Sequence, residues 1–282
     1  MIAVEKANYP VSIMCRVLGV SRSGFYDSLK RQRPTAREVR DAEDIDEIRS
    51  IHEASRGTYG SPRVHAKLRR DGHEMSKGRV ERLMKAAGLS GRVKRRFRVT
   101  TDSNHSRPVA ANVLNREFSR ETPDSAWCAD ITYIPTEAGW VYLAVVLDLA
   151  TRLVVGWSMA THMRTDLVTS ALKNALAVRK PAKEIIHHSD RGSQYASDEY
   201  QDLLNAHGIL CSMSRVGNCW DNAVMESFFG TFKQEWANLQ RWRGLDDAKL
   251  STLEFIEVFY NCERLHSSLG YMTPAEADAA AA

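Results

Sequence analysis

With 282 residues, 43% of them hydrophobic, the chain is long enough for a sizeable core plus one or two small modules, which excludes a disordered protein. No apolar stretch is long enough to span a bilayer and the opening MIAVEKANYP lacks a signal-peptide pattern, while five cysteines without a CxxC pair fit a reducing cytosol, so a cytoplasmic protein with no membrane partner is expected. The net charge of +4 hides an asymmetry: residues 1–100 hold 23 Lys and Arg against 12 Asp and Glu, which suits a polyanion, and the acidic remainder suits a site offset by bound cations.

Residues 1–42 read as a short helix-turn-helix-like segment. Ser12 can cap a helix with Val11, Met14 and Leu18 on its apolar side, Gly19 breaks it, and Ser21 can cap a second. Residues 43–98 form a better punctuated unit: Ser61-Pro62 starts a helix, Gly72 stops it, Ser76 caps the next and Gly88 ends that one. The last of these helices buries Val80, Leu83 and Met84 and presents Lys77, Arg79, Arg82 and Lys85, cations suited to a phosphate backbone with some reaching base edges. A basic arm follows, with Arg92, Lys94, Arg95, Arg96 and Arg98, whose grip on a polyanion would weaken steeply with salt. His52, His65 and His73 lack paired cysteines, so no structural zinc is expected.

Residues 99–122 lack periodicity and read as a linker. From 123 the order is strand (127–134), strand (140–148), strand (152–159), helix (165–179), strand (184–189), helix (197–207), strand (209–213), helix (221–239) and helix (246–263). This is an α/β plan of ribonuclease-H type, a five-stranded mixed sheet with helices, spanning 123–240 and followed by a helical extension at 241–282.

Three acids stand out by their surroundings. Asp130 interrupts the alternation of Trp127, Ala129, Ile131 and Tyr133, Asp190 follows an apolar run just before Arg191-Gly192, and Glu226 lies in a helix spaced by Val224, Phe228, Phe232 and Trp236. If strand 184–189 lies parallel beside 127–134, Asp130 and Asp190 become neighbours, and the helix needs only to cross that edge. Transferring a phosphodiester requires an activated attacking oxygen and a stabilised leaving oxygen, a task for two Mg²⁺ or Mn²⁺ ions held by carboxylates. On the helix, Asn222, Glu226, Gly230 and Lys233 share a polar face, which puts a phosphate-binding cation beside a metal ligand. His188 is suited by parity to orient the Asp190 carboxylate, and Asp148 to cap the turn into the third strand. Thr273-Pro274-Ala275-Glu276 is a capping box.

The segments WCADITYI, HHSDRGSQY and DNAVMESFFGTFKQE, with 35 residues between Asp190 and Glu226, resemble those of the retroviral-integrase-like DDE transposases of the OrfB type in the insertion-sequence-three family. The linker and the tail YNCERLHSSLGYMTPAEA follow the same pattern, so the likeness covers nearly the whole chain. It implies that Asp130, Asp190 and Glu226 are metal ligands and that Lys233 contacts transposon-end DNA. It also implies an enzyme that frees a 3′-OH at an insertion-sequence end and uses it to attack another phosphodiester, without a nucleotide cofactor. Double-stranded DNA and at least a second copy of the chain are the implied partners. Tyr260, Asn261, Arg264 and His266 match the end signature; packing is the favoured role of this stretch, with Arg264 and His266 to be tested for DNA contact. Relatives often gain an upstream helix-turn-helix and leucine zipper by frameshifting. No sustained leucine heptad is visible, which leaves open whether this frame acts alone or with an upstream-frame partner. Two other readings stand beside the transposase: a regulator that occupies the ends without cutting, and a general ribonuclease-H-like nuclease.

Overall fold

Three short helices, α1 (Ile2–Glu5), α2 (Val11–Val17) and α3 (Arg22–Lys30), open the computed structural model, which describes residues 1–30, 34–92, 108–181, 184–216 and 218–281. Next comes a 19-residue helix, α4 (Ala36–Ala54), that the sequence pattern did not lead us to expect. A reciprocal capping box starts it: Glu38 N–H donates to Thr35 Oγ1 at 3.2 Å, and Thr35 N–H donates to Glu38 Oε2 at 2.6 Å. A domain break at 42/43 would therefore fall inside a helix, so the helical unit begins with α4. Its partners α5 (Ser61–Arg70) and α6 (Lys77–Ala86) start and stop at the Pro, Gly and Ser signals, with Gly72 at φ +88° and Gly88 at φ +69°. Ile48, Ile51, Val64, Leu68, Val80, Leu83 and Met84 close the core of this unit, together with Leu265 from the far end of the chain.

The segment from 108 to 122 is not a free linker. Leu114 is fully buried in a core of the sheet-bearing region, and the N–H groups of Val113 and Leu114 both donate to Ser212 Oγ. Ordered packing thus starts well before 123. The sheet runs β3 (Val154–Ala160), β2 (Gly139–Asp148), β1 (Ala126–Thr136), β4 (Ile186–Ser189), β5 (Leu210–Met213) in spatial order, antiparallel across the first three strands and parallel across the last two pairings. This is the mixed, ribonuclease-H-like order.

Alternation along β1 divides two cores. Trp127 and Ala129 pack on one face with α7 (Thr165–Arg179) and α8 (Asp198–Ala206), whereas Ala126 and Cys128 pack on the other with α9 (Ala223–Glu235). The helical spacing predicts a single helix over 221–239. Instead a 3-10 turn (Cys219–Asn222) precedes α9, and Trp236, at φ −139°, ends it. The last long helix also differs, since α10 (Leu245–Leu253) widens into a π-helical stretch, Glu254–Glu263. Its Phe255, Ile256, Phe259 and Tyr260 join the α9 core, and α11 (Pro274–Ala281) follows behind the Thr273–Glu276 capping box. Asp148 caps its turn as expected, accepting from Thr151 N–H and Oγ1 and from Asp124 N–H.

Gly156 on β3 lets α7 approach the sheet closely. A Cβ at this position would lie 2.6 Å from Ala175 N and 2.7 Å from Ala175 Cβ. Gly156→Ala is therefore expected to push helix from sheet and destabilise the protein by about 1–3 kcal/mol, the usual range for overpacking, read as a lower urea midpoint. An unchanged midpoint would show that α7 can shift without penalty.

Candidate active site

The even-numbered positions of β1 face α9, and Asp130 is the next of them after Cys128. β4 pairs with β1 in parallel through Ala126↔Ile186 and Cys128↔His188, so two residues further along lie Asp130 and Asp190, just past the end of β4. There Asp190 Oδ1 accepts the Gly192 N–H at 2.9 Å, which fixes the carboxylate at the mouth of the strand. Glu226 stands exposed on α9 while Phe228, Phe229 and Phe232 of the same helix go into the core. Asp130 and Asp190 thus stand at adjacent strand ends, and Glu226 lies on the helix that packs against β1.

The electrostatics show that the three acids share one neighbourhood. Burial pushes the Asp130 carboxyl well above the usual carboxylate range, and the charges of Asp190 and Glu226 push it further; the Ile131 N–H, donating at 2.8 Å, and Lys233 pull the other way. Lys233 is half-buried, and burial lowers its ammonium pKa while Asp130 opposes that. Its Nζ lies 4.9 Å from the centre of the Tyr133 ring, a cation–π position at the edge of the site. Among the described residues, no three His, Cys, Asp or Glu side chains are close enough together to hold a metal ion. The three acids offer only hard oxygen donors, whose mutual repulsion a divalent cation would relieve, so the chemistry of the donor set fits Mg²⁺.

Other expected site residues sit elsewhere. Asn222 is buried, not on the polar face of α9; its Nδ2 donates to the Ala129 carbonyl, tying the start of the helix to the residue before Asp130. His188 does not orient Asp190. Its ring nitrogens lie 2.9 Å from Ser212 Oγ and 3.2 Å from Ser214 Oγ, and burial lowers its pKa to about 4, so it is a neutral link between β4 and β5. His187, also buried, meets Tyr200 on the opposite face. Arg264 and His266 are turned inward: Arg264 makes a bidentate pair with Glu235, Nε to Oε2 at 2.7 Å and Nη2 to Oε1 at 2.8 Å, and His266 lies beside it. Packing is their observed role, since both are buried.

On α6, Lys77, Arg82 and Lys85 are exposed, but Arg79 braces α4 by donating to Asp41 and Asp44, and Arg82 reaches Asp41 at 3.4 Å. Arg92 is exposed, whereas Lys94, Arg95, Arg96 and Arg98 lie outside the described residues. Sequence pattern alone does not disclose the role of Asp221. This fully buried carboxylate accepts from Arg215 N–H, Nε and Nη2, from Arg116 Nε and from Asn112 Nδ2, and those donors hold its pKa far below the usual range. It anchors both the incoming segment and the loop before α9. The nearby Arg215 is the one local signal, whereas Arg116 and Asn112 lie more than a hundred residues away.

Comparison with known proteins agrees with this architecture. Residues 120–219 and 207–274 match two family models described as integrase core domains, and residues 38–97 match an HTH-like domain. The chain is 43% identical over 262 residues to the insertion element IS600 uncharacterized 31 kDa protein of Shigella sonnei, covering 93% of this chain and 96% of that one. It is 36% identical over 273 residues to transposase InsF for insertion sequence IS3A of Escherichia coli (strain K12), covering 96% and 95% respectively. Among solved structures, the HTLV-2 integrase catalytic core domain in complex with magnesium is similar at 18% identity and a TM-score of 0.44, over 56% of this chain and 97% of that one.

Proposed function

Because the chain belongs to the family of IS3 InsF transposases and so serves DNA transposition, we propose that Asp130, Asp190 and Glu226 carry its chemistry as ligands of Mg²⁺ or Mn²⁺, two ions to a site. The observation that supports this most directly is the β1–β4 register, which sets Asp130 and Asp190 side by side at two strand ends, with Glu226 on the helix that packs against β1. Such an arrangement is unfavourable without cations and becomes favourable with them. Two bound ions would activate the attacking oxygen and stabilise the leaving oxygen of an in-line displacement.

The protein's own groups do the rest. Asp190, held by the Gly192 N–H, and Asp130, held by the Ile131 N–H, present oxygens from rigid strand ends. Lys233, two turns beyond Glu226, holds a DNA phosphate beside the triad, and Lys77, Lys85 and Arg92 bind duplex backbone further out. At least two copies act together so that both element ends are held, and an upstream-frame partner is compatible with this assembly.

Labelled element-end duplex, random duplex and RNA–DNA hybrid, each with Mg²⁺ or EDTA, test the proposal against its rivals. Metal-dependent nicking and joining at the end sequence, absent in Asp190→Asn, is the expected result. Tight binding without product would instead identify a regulator, and cleavage of the hybrid without end preference a general nuclease.

A further inference from the structure

Between the helical unit and the catalytic core lies a cavity of about 470 Å³, a volume typical of ligand pockets. Four arginines from separate parts of the chain line it: Arg63 on α5, Arg92 just past the helical unit, Arg152 in the β2–β3 turn and Arg264 after the π-helical stretch. Among the described residues Glu235 is the one acid in its lining, and Arg264 already engages both of its oxygens, with Arg63 Nη1 3.7 Å from Oε1. His266 adds no charge, because burial and the neighbouring arginines lower its pKa to about 2. Positive charge therefore exceeds negative here by a wide margin.

Arg152 is the most informative member. It adopts φ +61° in the tight β2–β3 turn, where its N–H donates to the Asp148 carbonyl at 2.9 Å, which anchors its backbone beside the cavity. Its Nη2 donates to the Phe118 carbonyl at 3.0 Å, but its Nη1 is buried without a hydrogen-bond partner among the described residues. A buried guanidinium N–H without an acceptor is unfavourable, and an oxyanion would supply one. Ser227 and Thr231 of α9 bring hydroxyls to the same cavity, and Ser227 directly follows Glu226.

We propose that this cavity binds a phosphate oxyanion through Arg152, Arg63 and Arg92, and that the backbone of duplex DNA is the source its surroundings favour. Arg92 stands exposed at the cavity's rim and shares an adjoining cleft with Arg63 and the exposed Lys85 of α6, so a DNA strand lying on α6 would reach this opening. A phosphate held here would also bridge the helical unit to the core. The inference rests on the transposition reading only for the phosphate's carrier.

Binding of labelled duplex by the full chain, followed by fluorescence anisotropy in EDTA over a salt series, tests the inference without catalysis. Arg152→Gln is expected to weaken binding roughly tenfold and to reduce the salt slope by about one, the loss of one phosphate contact. Arg92→Gln, at an exposed position, should act in the same direction and keeps the test valid if Arg152→Gln fails to fold. A second arm uses inorganic phosphate alone, which should raise the melting temperature of the wild type above that in chloride at equal ionic strength, and not that of Arg152→Gln. An effect on duplex identifies DNA as the source, and an effect on inorganic phosphate alone identifies a free anion. If both variants match the wild type in duplex affinity, salt slope and phosphate shift, the pocket is not an anion site; metal-dependent nicking by the wild type would stand regardless.

Discussion

Asp130→Asn is expected to abolish nicking and joining and at the same time to make the metal-free protein more stable. Losing a ligand of the proposed metal site would remove several kcal/mol of transition-state stabilisation, a rate loss of roughly 10³-fold or more. The stability gain comes from the same residue. Burial, Asp190 and Glu226 hold the folded-state pKa of Asp130 well above its unfolded value of about 3.9, so folding disfavours the ionised carboxylate. At neutral pH this is a destabilising contribution; it is relieved as pH falls through the raised pKa and is gone below the unfolded one. In EDTA, the melting temperature of Asp130→Asn should therefore exceed that of the wild type at neutral pH, and the gap should close as pH falls across that window. Mg²⁺ should raise the wild type's melting temperature and leave the variant's nearly unchanged. A variant that melts lower than the wild type in EDTA, or that still nicks DNA, would remove Asp130 from the proposed site.

How much of the fold and site is legible in the sequence depends on how far apart along the chain the deciding partners lie. Strand alternation around Asp130 and helical spacing around Glu226 are local, and both place their carboxylates on the side where the structure has them. The Asp130–Asp190 adjacency needs one assumption, the parallel pairing of β1 and β4, and the register supplies it. His188 shows where locality fails. Parity along its own strand could not reveal that Ser212 and Ser214 on β5 would take both ring nitrogens. The same holds for Asp221, whose acceptors are filled from Asn112, Arg116 and Arg215, and for Leu114, buried although its segment shows no periodicity. The helix α4 escapes notice for a different reason. Its charged sequence carries only a sparse apolar stripe, Ile48 and Ile51 being its buried residues, so the Thr35–Glu38 cap is its strongest local signal.

Glu235→Ala should be among the most destabilising single changes in the protein, because it would leave Arg264 buried without its partner. Arg264 is 4% exposed and Glu235 8%, and the two form a bidentate pair. Removing one member of a buried pair is destabilising by about 3–5 kcal/mol, far more than removing both in favour of apolar groups. The pair also lies where the helical unit meets the core: Arg63 Nε donates to the Leu265 carbonyl, the Leu265 N–H donates to Tyr59 Oη, and the Arg56 guanidinium stacks 3.6 Å from the centre of the Trp236 ring. Loosening Arg264 should thus weaken the docking of the two units as well as the core. Denaturant melts of Glu235→Ala and of Glu235→Leu combined with Arg264→Met separate these effects, with the double variant expected to recover most of the loss. Because Glu235 is also the one acid among the described residues lining the arginine cavity, an oxyanion bound there should partly replace it. The melting-temperature deficit of Glu235→Ala should accordingly shrink in phosphate relative to chloride at equal ionic strength. A loss below about 1 kcal/mol, the level typical of exposed pairs, would mean that solvent reaches Arg264 and that the pair does not hold this junction.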